Sequence, residues 1–200
     1  MLIVGNQRKQ INLAPGVQFD EAEHTYTKSG KQLSGVTGRI SARLGLKYGG
    51  EVVKEKCEAG AYLHKWIQDW INSGSLSSVH PDAVFVKNAL EDKYKGDEKY
   101  ICYSEVLVTD SIGTSSAVDI MVLRPDGTLD LYDIKSGAVK PEYLAWQLGT
   151  YAYFCSLMGY KVHACYCAAA KDHLIYRIKP RGTEDIKTLL YGTSGTKGAR

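Results

Sequence analysis

Residues 115–151, SSAVDIMVLRPDGTLDLYDIKSGAVKPEYLAWQLGTY, decide how this chain is read. Residues 117–123 are apolar on both faces of an extended chain, with Val118, Ile120 and Val122 on one and Ala117, Met121 and Leu123 on the other. Asp119 interrupts the second face, and a lone buried carboxylate must be neutral, paired or metal-bound. Residues 129–135 form a second strand in which Leu129, Leu131, Asp133 and Lys135 share a side, because side chains alternate with period two. The intervening RPDGT, residues 124–128, is a turn, so the two strands make a hairpin.

That hairpin is able to bring Asp119 and Asp133 together. Two neighbouring carboxylates repel unless a proton or cation lies between them. Oxygen ligands of this kind suit Mg2+ or Mn2+. Lys135 points the same way as Asp133 and is suited to hold a water or to neutralise phosphate charge. Asp133 and Lys135 alone would equally suit a solvated strand end; a carboxylate in mid-strand would not.

Residues 57–72, CEAGAYLHKWIQDWIN, have helical period, with His64 at the border of the apolar stripe and Gly60 one turn earlier. His64 is read either as a packed or capping residue or as a ligand. Glycine is about 1 kcal/mol worse than alanine in a helix, so Gly60 implies close approach by another backbone or by a ligand. A further helix covers residues 141–158, with Pro141 in its first turn. There Leu144, Gln147, Leu148 and Tyr151 share one side, so Gln147 faces protein or site rather than bulk water. Glu105, on a strand over residues 100–109, either lines the site, binds a second cation or makes a surface ion pair.

In order, Gly60-x-x-x-His64, Asp119, Asp133-Ile134-Lys135 and Gln147-x-x-x-Tyr151 resemble the motifs of the PD-(D/E)XK nuclease superfamily. The resemblance is to the RecB-type branch, which includes phage exonucleases and the nucleases of CRISPR adaptation, and it covers roughly residues 35–170. It departs at Ser116, where many relatives have glycine. It implies a restriction-endonuclease-like α/β (α+β) core, a central mixed sheet flanked by helices. It implies metal ligation by His64, Asp119, Asp133 and the Ile134 carbonyl, with a catalytic Lys135. Gln147 would orient active-site groups. Tyr151, Gly60 and Lys140 would touch DNA. The implied activity is hydrolysis of DNA to 5′-phosphate and 3′-hydroxyl ends, most simply as an exonuclease of phage or repair-recombination type. A DNA endonuclease and a catalytically weak DNA-binding or assembly protein are the alternatives. Some relatives carry an iron-sulfur cluster, but Cys155, Cys165 and Cys167 do not have that spacing, so none is expected.

Two hundred residues allow one domain with a core, read as residues 1–191 with a hairpin at 18–34 turning at Ser29-Gly30, a catalytic core at 35–180 and a disordered tail at 192–200. Helices are also expected at residues 34–46, 82–95 and 184–191, and strands at 161–170 and 173–179. The net charge of +3 excludes a globally basic surface. A DNA groove would be local, with Lys47, Lys54, Lys56, Lys65 and Lys140 as candidates or as ordinary solvated surface. Fourteen tyrosines suit packing more than base stacking. Five cysteines without a secretion signal suggest reduced thiols. No apolar run reaches the about 18 residues that span a membrane. The expectation is a cytoplasmic protein of a bacterial or phage-infected cell. DNA is its expected partner, with a homo-oligomer or a recombination or replication partner open.

Overall fold

The computed structural model describes residues 1–5, 11–20, 23, 25–46 and 51–192, except for the side chains of residues 51–59. The strands are β1 (Leu2–Ile3), β2 (Val17–Asp20), β3 (Thr25–Lys28), β4 (Lys31–Gly35), β5 (Tyr100–Thr109), β6 (Thr114–Leu123), β7 (Leu129–Lys135), β8 (Val162–Ala169) and β9 (Leu174–Ile178). The helices are α1 (Val36–Arg43), α2 (Glu51–Ser73), α3 (Pro81–Lys93), α4 (Pro141–Leu157) and α5 (Thr183–Tyr191).

All nine strands form one mixed sheet. β5, β6 and β7 run antiparallel in sequence, and β8 joins β7 in parallel through the α4 crossover. The expected hairpin turns at Ser29 and Gly30, with φ of 50° and 76°, the left-handed pair a two-residue hairpin turn requires. It is more than a hairpin. β2 adds a third strand, and β4 pairs in parallel with the start of β6 through Ser34–Thr114 and Gly35–Ser115, so the meander is part of the main sheet. The Asp126-Gly127 turn forms as expected, with Gly127 at φ 77° and Arg124 N–H donating to the Thr128 carbonyl at 2.9 Å.

Helices cover both faces. One core packs α1, α4 and α5 on the sheet through Ile40, Leu144, Leu148, Phe154 and Ile186. The other packs α2 and α3 through Leu63, Ile67, Trp70, Val86 and Leu90. Each such side chain removed from water contributes about 1.5–3 kcal/mol. Among the described residues no helix is long and apolar enough to cross a membrane.

Strict alternation would put Val118 on one face with Ile120 and Val122. In the structure Val118 packs in the first core and Ile120 and Val122 in the second. On β5, Cys102 packs in the second core but Val106 and Val108 in the first. Both strands therefore change faces at the same level, where Glu105 has φ 49° and no partner between the Ser104–Ile120 and Val106–Val118 pairs. A left-handed non-glycine residue inside a strand costs about 1–3 kcal/mol, and such residues cluster at functional sites.

Glycine 149 lets α4 lie against the chain entering α5. A Cβ there would stand 2.9 Å from both the backbone N and O of Arg181. Alanine gains about 1 kcal/mol in a helix over glycine, but overpacking costs about 1–3 kcal/mol. Gly149→Ala is therefore expected to lower stability by up to about 2 kcal/mol. Gly38→Ala, in α1 with nothing within 4 Å of its Cβ, should raise it by up to about 1 kcal/mol. Urea unfolding of the two variants checks both signs.

Candidate functional site

The β6–β7 ladder runs from Leu123–Leu129 to Ile120–Tyr132 and stops, while β7 continues along β8 to Lys135–Ala169. On the same edge of β6, β4 pairs only as far as Ser115. A fork opens between them, at residues 116–119. Asp119 closes its apex: its Oδ2 accepts the Ile134 N–H at 2.6 Å, replacing the backbone acceptor the ladder no longer supplies. Ile134 thus enters the site through its amide.

From the α2 side, His64 Nδ1 stands 3.6 Å from Asp119 Oδ1 and 3.7 Å from Glu105 Oε1. One ligand atom from each of the three residues lies within 4.8 Å of the other two. Ligands held at 2.0–2.1 Å by an octahedral ion are about 3 to 4 Å apart, so the trio is a group that could hold a divalent cation after a small adjustment. Asp133 is not in this compact group. It adjoins it, since Asp119 and His64 both act on its charge. Glu105, which the sequence left open between site and surface, faces His64. Its left-handed backbone leaves no sequence signal.

β7 contains an internal comparison. Asp130 and Asp133 are both buried. Asp130 is fully engaged: Tyr94 donates its hydroxyl at 2.8 Å, Arg124 Nη1 lies at 3.2 Å and His163 Nδ1 at 2.9 Å. Asp133, 1 % exposed, has Lys135 Nζ at 2.6 Å from Oδ2, while its Oδ1 is buried with no hydrogen-bond partner among the described residues. Buried polar atoms without partners are rare in native structures and need a reason. Asp130 is thus a structural anchor, and Asp133 is the less engaged of the two.

The charges follow from the geometry. Burial raises the Asp119 pKa, opposed by His64 and reinforced by Glu105. Burial also raises that of Asp133, to about 6, with Lys135 opposing and Asp119 adding to it. For His64 burial works downward, but the Asp119 and Glu105 carboxylates outweigh it and push the imidazole up to about 9. Lys135 is held above its ordinary range because Asp133 and Asp119 outweigh its burial.

Gln147 and Tyr151 lie one turn apart on the sheet-facing side of α4. Gln147 Nε2 donates to the Tyr151 hydroxyl at 2.9 Å, and Ser116 Oγ lies 3.2 Å from the same hydroxyl. In this network Gln147 Oε1 is buried with no hydrogen-bond partner among the described residues. Tyr151, expected at the DNA, is 2 % exposed in this structure, with its hydroxyl engaged by Gln147 and Ser116. The apolar stripe it belongs to is the one α4 buries, so the tyrosine supports the carboxylates from below. Burial, then Asp133 and Asp119, keep its hydroxyl protonated.

The remaining candidates are dispersed. The close neighbour implied by Gly60 is Ser136, whose Oγ would be 3.2 Å from an added Cβ. Lys140 is exposed at the N-cap of α4. Lys65 pairs with Asp69 at 3.4 Å along α2, an ordinary surface pair. Lys47, the side chains of Lys54, Lys56 and Cys57, and residues 193–200 of the expected tail lie outside the described residues. Cys155, Cys165 and Cys167 are buried in the first core, their thiols pushed up to about 12 mainly by burial.

Compared with family models, curated proteins and solved structures, the chain finds no match.

A divalent cation bound here would have a pH-dependent affinity. Folded, His64 keeps its proton to about pH 9, against 6.5 ordinarily. The stability this gives is complete below about pH 6.5 and lost as pH rises through about 9. Asp133 runs in the same direction at lower pH, since its raised pKa makes the folded state the better proton binder. A divalent cation would displace these protons, so its binding tightens with pH. In thermal melts the metal-free protein should lose Tm between about pH 6.5 and 9, and the gain in Tm from Mn2+ should be larger at the upper end. Equal Mn2+ gains at both ends would contradict this linkage.

Proposed function

We propose that this protein is a metal-dependent DNA nuclease built on a restriction-endonuclease-like core of the PD-(D/E)XK type. The observation that carries the reading is the convergence of Asp119, Glu105 and His64 at the β6–β7 fork with Asp133 beside them, its Oδ2 held by Lys135 and its Oδ1 buried without a hydrogen-bond partner among the described residues. Three carboxylates face one lysine and one imidazole, which leaves a deficit of positive charge in a poorly solvated place. The order of these residues along the chain, ending in Gln147 and Tyr151, supports the same assignment.

His64, Glu105 and Asp119, with Asp133 beside them, would hold Mg2+ or Mn2+; an imidazole in the set favours Mn2+ more than an all-oxygen site does. The bound ion would polarise the scissile phosphate and make water a nucleophile near neutral pH. The chain's own residues do the rest. Asp119 fixes the apex of the fork through the Ile134 amide. Lys135, paired with Asp133 but about a third exposed, reaches outward to position the attacking water and to neutralise charge that develops on phosphate oxygens. Tyr151, Ser116 and Gln147 keep the floor of the site rigid, and the open Gln147 Oε1 offers an acceptor beside it. The products would be 5′-phosphate and 3′-hydroxyl ends, and exonuclease action in DNA repair or recombination is the favoured form.

The test is a time course on end-labelled linear single- and double-stranded DNA and on a closed circle, with Mg2+, Mn2+ or chelator. Metal-dependent loss of linear DNA alone is expected. Asp133→Ala should abolish cleavage, a loss of at least about a thousandfold for a group of this kind. It should also leave the metal-free protein folded, with a Tm equal to or above wild type by about 2–4 °C per kcal/mol of relieved repulsion. Cleavage by the folded variant at the wild-type rate would sink the assignment. DNA binding without turnover in either metal would point to a binding or assembly role instead.

A further inference from the structure

A second polar feature of α4 faces away from the carboxylates. Between α1, α4 and α5 lies a cleft of about 270 Å3 lined by Arg39, Arg43, Trp146, Asp185, Thr188 and Leu189. Trp146 is 6 % exposed, and its indole Nε1 is buried without a hydrogen-bond partner among the described residues. Arg39 Nε is in the same condition, although its Nη1 donates to the Leu190 carbonyl at 2.9 Å. The guanidinium carbons of Arg43 and Arg181 stand 5.8 and 5.1 Å from the centre of the Trp146 ring. Arg181 is paired with Glu142 at 3.2 Å. Among the described residues Arg39 and Arg43 have no ion-pair partner; Asp185, which also lines the cleft, is exposed, and Thr188 donates its hydroxyl to the Glu184 carbonyl at 2.9 Å.

Both of these atoms are donors, so a ligand that engaged them would offer an acceptor. Two unpaired guanidiniums beside them call for that acceptor to be an anion. The cleft is smaller than the roughly 300–1,000 Å3 of small-molecule pockets, a size for a phosphate group rather than a nucleoside. We propose that Arg39, Arg43 and the Trp146 indole N–H form a phosphate-binding site, and that it takes a backbone phosphate of the DNA at a distance from the scissile one. The DNA part rests on the nuclease reading; the phosphate chemistry does not. Trp146 precedes Gln147 on α4, so the two sites share one rigid helix, about 100° apart around its axis. A strand held at both would be fixed in register over the carboxylates.

The experiment uses 15N-labelled full-length protein in metal-free buffer, where no cleavage can occur. The Trp146 indole resonance is assigned with Trp146→Phe. It is then followed during titration with inorganic phosphate and with a short single-stranded oligonucleotide lacking a terminal phosphate. In parallel, the salt dependence of oligonucleotide binding is measured for wild type and Arg43→Gln, whose side chain is exposed and whose fold is checked by circular dichroism. The resonance should move with both ligands, and the slope of log K against log salt should fall by about 0.7 in Arg43→Gln, the loss of one phosphate contact on a single strand. A resonance that neither ligand moves would overturn the proposal. So would a shift with free phosphate alone and an unchanged slope, the behaviour of an adventitious anion. Cleavage with Mn2+, assayed separately, decides the nuclease reading and leaves this titration untouched.

Discussion

The contact on which the rest of the site depends is the Asp119 carboxylate accepting the Ile134 amide at 2.6 Å. β6 and β7 must separate to make a crevice, and separation strips β7 of ladder partners on that side. A side chain that replaces the lost acceptor lets the fork open without leaving a buried N–H unsatisfied. It also fixes where the second oxygen of Asp119 points, toward His64 across from α2. The same residue thus terminates a sheet ladder and begins a charge cluster. β8 continues to pair with β7 through Lys135, which keeps Asp133 and Lys135 in extended register although β6 has departed.

An open fork lined with carboxylates imposes a balance of charge. Asp130 and Asp133 sit three residues apart on one strand and are both buried, yet Asp130 is held by three donors and Asp133 by Lys135 on one oxygen only. If burial alone had shaped this strand, both carboxylates would be satisfied or replaced. The chain instead keeps Asp133 beside Asp119, whose charge raises its proton affinity further, and relies on His64 and Lys135 to offset part of the repulsion. Arrangements of that kind lower stability and persist where activity requires them. The left-handed Glu105 adds to the same pattern, because it allows a change of face on β5 and β6 at the level of the cluster.

Much of this was legible in residues 115–151. Two-sided apolar runs gave β6 and β7, the Asp-Gly turn gave their pairing, and period-two alternation put Asp133 and Lys135 together. The helical stripe of α4 gave Gln147 and Tyr151 a common side but not which side: a stripe says that residues share a surface, not whether it meets solvent, ligand or sheet. The inward turn of Tyr151 is invisible for that reason. β1, which pairs with β5 from the other end of the N-terminal half, is two residues long and has no periodicity to read. The parallel link from β4 to β6 is non-local in the same way. Glu105 joins the site through a backbone angle that its residue type disfavours, so local propensity pointed away from it.

α4 is the element that joins these parts. Its sheet-facing side carries Leu144, Gln147, Leu148 and Tyr151, and its neighbouring side carries Trp146 against Arg39 and Arg43. Gly149 permits the close approach of the chain at Arg181, whose N–H donates to the Ala145 carbonyl at 2.8 Å. That contact holds the helix by its backbone rather than by side chains alone, which limits its freedom to slide. A helix so pinned cannot shift Gln147 and Tyr151 under the carboxylates without also shifting Trp146 in the arginine cleft. The floor of the fork and the cleft are therefore two faces of one rigid body, and the distance between whatever each of them holds is set by the helix.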